Sequence, residues 1–382
     1  MAYSKAAVPA HSLEEGEQMA AAKVFVFAPA DPTEETHRRL EQAGCQLVLG
    51  KASWQTPKGN NEEEMCLLAR DSDALVGTSI RSSPITRRIM ESSDRLRIVA
   101  KYTIGVDDVD VEAATELGIL VTHAPTESNW GGVAEGTIAM MLALLKRIRE
   151  RDEHVKAGGW RAEELQGTYL GARQDGYPGI TVGLVGLGRI GSRVAELLRP
   201  WRVRILAYDP YVPRDKFALL GVRSVDYHTL LRESDVVSFH VVLTKETRHM
   251  CGAAELALMK PTAILVNTSR GAVLDEAALV DALQRGVIAG AALDVFEDEP
   301  LPPESPLRKL GHKVLLSPHM VSSNVGSGLG PGIAWATESV LQALRGEVPD
   351  NVYNKEVIPR WRERFGGRSV LGAPAPQPAA RA

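Results

Sequence analysis

Three glycines in one short stretch are spaced to hold a phosphate. Gly186, Gly188 and Gly191 spell G-x-G-x-x-G inside ITVGLVGLGRIGSRVAELLRPWRVRILAYDP, residues 180–210. The first glycine permits a tight turn. The second lets backbone approach a pyrophosphate with no side chain in the way, and the third lets a helix pack close to a strand. The helix N-terminus that follows such a turn presents free N–H groups to phosphate oxygens. Asp209 stands about 20 residues further on, at the tip of the next apolar run. Its carboxylate can accept hydrogen bonds from both hydroxyls of an adenosine ribose and would repel a 2′-phosphate, which favours NAD over NADP.

That chemistry requires a strand before the glycines and a helix after them. The apolar run 181–185 reads as a short buried parallel strand, and Val194, Leu197 and Leu198 share one helical face before a second strand at 203–207. Upstream, strands at 23–28, 46–49, 74–77 and 96–101 alternate with helices at 34–43, 61–71 and 85–91, the pattern of a parallel sheet with covering helices. After a helix at 111–117, Asn129 is placed to cap a long helix from about Gly132. Its apolar first half predicts burial between domains, and the basic run 146–151 reads as its solvated end. Strands at 222–225, 235–240, 263–267, 289–294 and 314–316 follow, with helices at 227–232, 253–259 and 276–285. A last helix, 332–345, lies beyond the final strand of the nucleotide unit, so the first domain is expected to be discontinuous and closed by it.

Composition narrows the function classes. The 382 residues suggest two domains with tails, and 44% hydrophobic content is ample for two cores. A formal net charge of -4 leaves no basic footprint for nucleic acid. No apolar run reaches the roughly 18 residues of a membrane helix, and the first 22 residues lack a signal-peptide core. Cys45, Cys66 and Cys251 have neither metal spacing nor a disulfide framework, consistent with a reducing cytoplasm and no metal site.

Three later segments carry a resemblance. KPTAILVNTSRGAVLDEAAL (260–279), GAALDVFEDEP (290–300) and SPHMVSS (317–323), in this order after the glycine motif, resemble the D-isomer-specific 2-hydroxyacid dehydrogenase family over about residues 23–354. The resemblance implies an α/β protein of two doubly wound parallel sheets, with a Rossmann-type NAD domain inserted into a discontinuous flavodoxin-like substrate domain. The implied layout is a flexible segment 1–22, a substrate domain 23–124, an NAD domain 125–322, a closing part 323–354 and a C-terminal tail 355–382, partly disordered. It also implies a homodimer formed through the nucleotide domain.

The same resemblance implies site residues. Arg270 would hold the substrate carboxylate and polarise the 2-oxo group, His319 would be the acid/base, and Glu299 would pair with it. Gly186, Gly188, Arg189, Ile190, Gly191, Asp209, His240 and Thr268 would line the cofactor, with Asp294 on the nicotinamide carboxamide. Backbone N–H groups at Ile104 and Gly105 would bind the substrate carboxylate. The residue types suit the chemistry. Histidine titrates near neutral pH and can give or take a proton, a nearby carboxylate favours its charged form, and arginine presents a charged fork that matches a carboxylate.

Departures from the family pattern cluster near the expected cleft. Asp108 replaces the usual Asn, Trp130 and Gly136 stand at the entry to the long helix, Val242 replaces a proline, and the segment 167–179 is long. Trp130 and Tyr102 read as packing residues first and substrate contacts second. The expected activity is NAD-dependent interconversion of a small D-2-hydroxy acid and its 2-oxo acid. Glyoxylate and hydroxypyruvate are candidates. Lys101 resembles a basic position of phosphoglycerate dehydrogenases, which adds 3-phosphoglycerate. An NAD-sensing corepressor-like binding protein is the alternative from another class. Glu299, where formate dehydrogenases carry Gln, argues against that activity.

Overall fold

The structure is a computed structural model that describes residues 21–51, 59–78, 83–325 and 329–371. Nearly all of the expected flexible segment 1–22, and the Pro/Ala-rich end beyond residue 371, lie outside the described residues.

The chain builds two wholly parallel sheets. The first comprises β1 (Ala22–Ala28), β2 (Cys45–Leu49), β3 (Ala74–Gly77), β4 (Ile98–Lys101) and β5 (Leu120–Thr122), in the order β2-β1-β3-β4-β5. The second comprises β6 (Thr181–Val185), β7 (Arg204–Tyr208), β8 (Arg223–Ser224), β9 (Val236–Phe239), β10 (Ile264–Asn267), β11 (Gly290–Leu293) and β12 (Val314–Leu316). Its order is β12-β11-β10-β9-β6-β7-β8. The first order is the flavodoxin-like one; the second is a dinucleotide-binding order with one added strand. The interior strands β6, β9, β10 and β11 are buried at every residue, as helices on both faces of a parallel sheet require.

In the second sheet the order reverses between β6 and β9, which opens a crevice at their C-terminal ends. The Gly330–Arg345 helix returns to the first sheet, where it packs on β3, β4 and the Glu35–Gln42 helix. The Glu127–Leu145 helix crosses the other way and packs on the Arg189–Leu198 helix, β10 and β11.

Several local expectations change. The long helix starts at Glu127 with Thr126 in the N-cap position, so Asn129 lies inside it instead of capping it. Its basic end is a break: Arg147 adopts φ 51°, and a separate helix, Ile148–Lys156, begins there. A helix at Arg214–Leu220 precedes β8, buried through Phe217 and Leu220. The described part of the expected tail, 355–371, carries a helix, Ile358–Phe365. Trp361 and Phe365, four apart, fall on one helical face and enter the core of the first sheet, while the basic side chains between them stay in water. The Trp361 indole N–H donates to the Arg97 carbonyl at 2.9 Å.

Candidate active site

The glycine loop does what its spacing requires. Gly186 has φ 96°, and a Cβ there would come within 2.7 Å of the His240 carbonyl oxygen. A Cβ on Gly191 would strike the Gly186 carbonyl oxygen, so helix and strand meet only because it is absent. A Cβ on Gly188 would meet nothing within 4 Å, so the second glycine faces open space. The Arg189–Leu198 helix starts there with no side-chain cap, leaving its first N–H groups for an incoming anion. Asp209 Oδ2 accepts the Leu187 N–H at 2.7 Å, and Oδ1 accepts the Tyr211 N–H at 2.9 Å. The carboxylate therefore steadies the loop and keeps further acceptor capacity.

Across the crevice, His240 Nε2 lies 2.9 Å from Ser238 Oγ, while its Nδ1 is a buried polar atom with no partner among the described residues. Burial pushes the His240 pKa down to about 4. The open Gly188, the uncapped helix end and the unpaired ring nitrogen together fit a bound dinucleotide. Arg189 is exposed beside the loop and Ile190 is half-buried. The Thr137 hydroxyl donates to the Val133 carbonyl, which leaves the Thr268 hydroxyl as donor to Thr137 at 2.8 Å. Thr268 thus ties β10 to the long helix.

Past β10, Asn267 Oδ1 accepts the Ser269 N–H and hydroxyl at 3.0 and 2.7 Å, and Asn267 Nδ2 donates to the Arg270 carbonyl at 2.9 Å. The turn so fixed sends Arg270 toward the first sheet, where Nε and Nη2 each lie 2.7 Å from Asp107 Oδ2. The loop carrying Ile104 and Gly105 arrives at the same guanidinium. A Cβ on Gly105 would run into Arg270 Nη2 and would lie 2.9 Å from Asp107 Oδ2.

His319, after β12, takes φ 55° and places Nδ1 2.8 Å from Glu299 Oε2. Glu299 Oε1 accepts the Phe296 N–H at 3.0 Å. Gly271 packs directly on the Phe296 backbone, which links the Arg270 turn to the Glu299 turn. Asp294 is buried, and its oxygens accept the Met320 and Val321 N–H groups at 2.9 and 3.2 Å. Burial raises its pKa, an effect that hydrogen bonds oppose. Through these bonds Asp294 braces the turn that holds His319. An imidazole backed by a carboxylate, on a turn linked to the one that carries a guanidinium, can exchange a proton with an oxygen whose neighbouring carboxylate is clamped.

The other residues singled out in the sequence have these surroundings. Lys101 is fully buried, with Nζ 2.6 Å from Asp108 Oδ2 and 3.1 Å from the Thr78 carbonyl. The basic position that suggested a phosphorylated substrate is thus engaged by the residue that departs from the family pattern. Tyr102 is core. Trp130 lines a cavity of about 310 Å³ with Arg189, Arg193 and Lys216. Val242 is exposed. Gly136 sits where a Cβ would run into the Val321 side chain and lie 2.7 Å from its carbonyl oxygen. The missing side chain is what lets the long helix support the His319 turn. Asp107 was not anticipated: its partner is 163 residues away, and only its place beside Gly105 offered a signal.

Comparison with known proteins agrees with this architecture. Residues 138–321 match the family described as D-isomer specific 2-hydroxyacid dehydrogenase, NAD binding domain. A glyoxylate reductase of Korarchaeum cryptofilum is 43% identical over 310 residues, 80% of this chain and 90% of that protein. A D-3-phosphoglycerate dehydrogenase of Methanocaldococcus jannaschii is 39% identical over 328 residues, 86% of this chain but 60% of that protein. D-lactate dehydrogenase of Aquifex aeolicus, solved with NAD and lactic acid, superposes with a TM-score of 0.74 at 28% identity, covering 87% of this chain and 99% of that one.

Proposed function

The chain belongs to the D-isomer-specific 2-hydroxyacid dehydrogenase family, NAD-dependent oxidoreductases of small 2-hydroxy acids, and from that premise we propose that it reduces an unphosphorylated 2-oxo acid such as glyoxylate or hydroxypyruvate. The observation that carries the reaction is the His319–Glu299 pair at 2.8 Å, in a turn linked through Phe296 to Arg270. Arg270 and the backbone N–H groups at Ile104 and Gly105 hold the substrate carboxylate. Nδ1 of His319 is held by Glu299, so Nε2 carries the proton that moves. It gives that proton to the ketone oxygen in reduction and takes it from the hydroxyl in oxidation. When bound, the dinucleotide supplies or accepts the hydride. Gly186, Gly188, Arg189, Ile190 and Gly191 would hold its pyrophosphate and Asp209 its ribose, with His240 and Thr268 as further contacts and Asp294 on the carboxamide.

The substrate assignment is supported by Lys101, whose ammonium is buried against Asp108. It is also supported by the relatives matched over nine-tenths of their length, such as the Korarchaeum enzyme, which are glyoxylate reductases. NADH oxidation over glyoxylate, hydroxypyruvate, pyruvate and 3-phosphohydroxypyruvate tests it. Turnover of the phosphorylated acid alone would point to phosphoglycerate dehydrogenase activity instead.

The proposal includes division of the chain at 23–124, 125–322 and 323–354, and a homodimer. Exposed Ile148, Val155 and Trp160, on and just after one short helix of the nucleotide half, support an association surface there. A cytoplasmic location is supported by three free cysteines. Among the described residues no helix is long and apolar enough to cross a membrane.

A further inference from the structure

One side chain from the edge of the first sheet grips the loop that meets Arg270. His123, just past β5, places Nδ1 3.2 Å from the Ile104 carbonyl oxygen. A carbonyl only accepts, so Nδ1 carries the proton. One residue on, the Ala124 N–H donates to the Thr103 carbonyl at 2.9 Å, so consecutive residues hold consecutive carbonyls of the loop. The ring is fixed from behind. Tyr353 meets it edge-on with centroids 5.5 Å apart, the His123 N–H donates to the Asn351 carbonyl, and Asn351 Nδ2 donates back to the His123 carbonyl at 2.7 Å.

The Ile104 carbonyl and the Gly105 N–H belong to one planar trans peptide and point to opposite sides. Holding the oxygen therefore fixes the direction of the N–H. That N–H belongs to the glycine pressed against the Arg270 guanidinium. Burial lowers the His123 pKa, the hydrogen bond to Ile104 opposes that shift, and the charges of Arg189 and Lys355 add to the lowering.

We propose that His123 is a positioning residue of the reaction, whose Nδ1–H holds the Ile104 carbonyl and so aims the Gly105 N–H at the substrate carboxylate. This rests on the reading of the 104–105 loop given above. A histidine here also couples the loop to the 351–353 segment, at the point where the chain leaves the first sheet for the long helix.

The test uses the full chain with NADH, glyoxylate as substrate and oxamate as an unreactive carboxylate probe. His123→Phe and His123→Leu lack the donor, whereas His123→Asn keeps an amide nitrogen near the Nδ1 position. The expected result is KM for glyoxylate and the oxamate inhibition constant raised about five- to tenfold in the Phe and Leu variants, the scale of one lost hydrogen bond. Both should keep kcat and NADH affinity, and the Asn variant should restore both constants. Should the Phe variant not fold, the Leu variant carries the comparison. Gly105→Ala tests the loop reading separately, because its Cβ meets Arg270. Unchanged constants in the Phe and Leu variants, with Gly105→Ala impaired, would overturn the role of His123 alone. So would an Asn variant as impaired as Phe. Unchanged constants in Gly105→Ala would remove the loop reading, and the proposal with it.

Discussion

The Arg270 guanidinium meets the Asp107 carboxylate through two nitrogens, each 2.7 Å from the same oxygen. The contact joins the turn after β10 of one sheet to the loop after β4 of the other. The cation is thus already oriented by a carboxylate at the place where the substrate carboxylate is proposed to bind.

Arg270→Lys should lower kcat/KM by about 10- to 100-fold, because a lysine keeps the charge but loses charge-assisted hydrogen bonds of the fork. NADH affinity should hold. Steady-state kinetics on the 2-oxo acid decide it, and wild-type kcat/KM would remove Arg270 from the mechanism.

His319→Ala should cost on the order of 10²–10⁴ in kcat in both directions, the range of a general acid/base. Glu299→Gln should cost less, since the amide oxygen can still accept the Nδ1–H. A Glu299→Gln enzyme as inactive as His319→Ala would mean that Glu299 does more than orient the ring.

Asp209 should make NADH the better cofactor by about 10- to 100-fold in kcat/KM, through charge repulsion and lost ribose bonds. Parallel titrations with NADH and NADPH measure it. Equal values would refute the ribose assignment.

Gly136→Ala should disturb the His319 turn, because the added methyl meets Val321. A cost of about 1–3 kcal/mol is typical of overpacking. Thermal melting should show that loss together with a lower kcat. A variant with wild-type melting and kcat would show that the turn tolerates the methyl.

His240 should make the fold acid-sensitive. Its folded pKa of about 4 lies below the ordinary 6.5, so the unfolded chain binds more protons between those values. This contribution to stability is complete above pH 6.5, falls away as pH drops toward 4, and then levels off. His240→Gln should flatten that part of the Tm–pH curve. An unchanged slope would show that His240 does not titrate on unfolding.

What was legible in the sequence was local. Gly186, Gly188 and Gly191 announce themselves because turn, approach and packing depend on spacing within one β-α-β unit. Arg270, Glu299 and His319 stood out through the segments around them. The Arg270–Asp107 and Lys101–Asp108 pairs were not legible, since a loop sequence does not reveal which side chain it will face. The Ile358–Phe365 helix was hidden by composition: arginines surround the two aromatic residues that it buries. The role of Asp294 in holding the Met320 and Val321 N–H groups needed the fold of the His319 turn itself.

The return of the chain to its first sheet has a consequence for folding order. All strands of the second sheet lie within residues 181–316, so its pairings can form as soon as that stretch has left the ribosome. The first sheet is synthesised earlier but must wait: Ile333, Val340 and Trp361 are part of its core. Its strands emerge long before the residues that cover them, and closing so large a loop is slow. During synthesis the apolar face of β3 and β4 therefore stands open to water, and the half of the molecule made first is completed last.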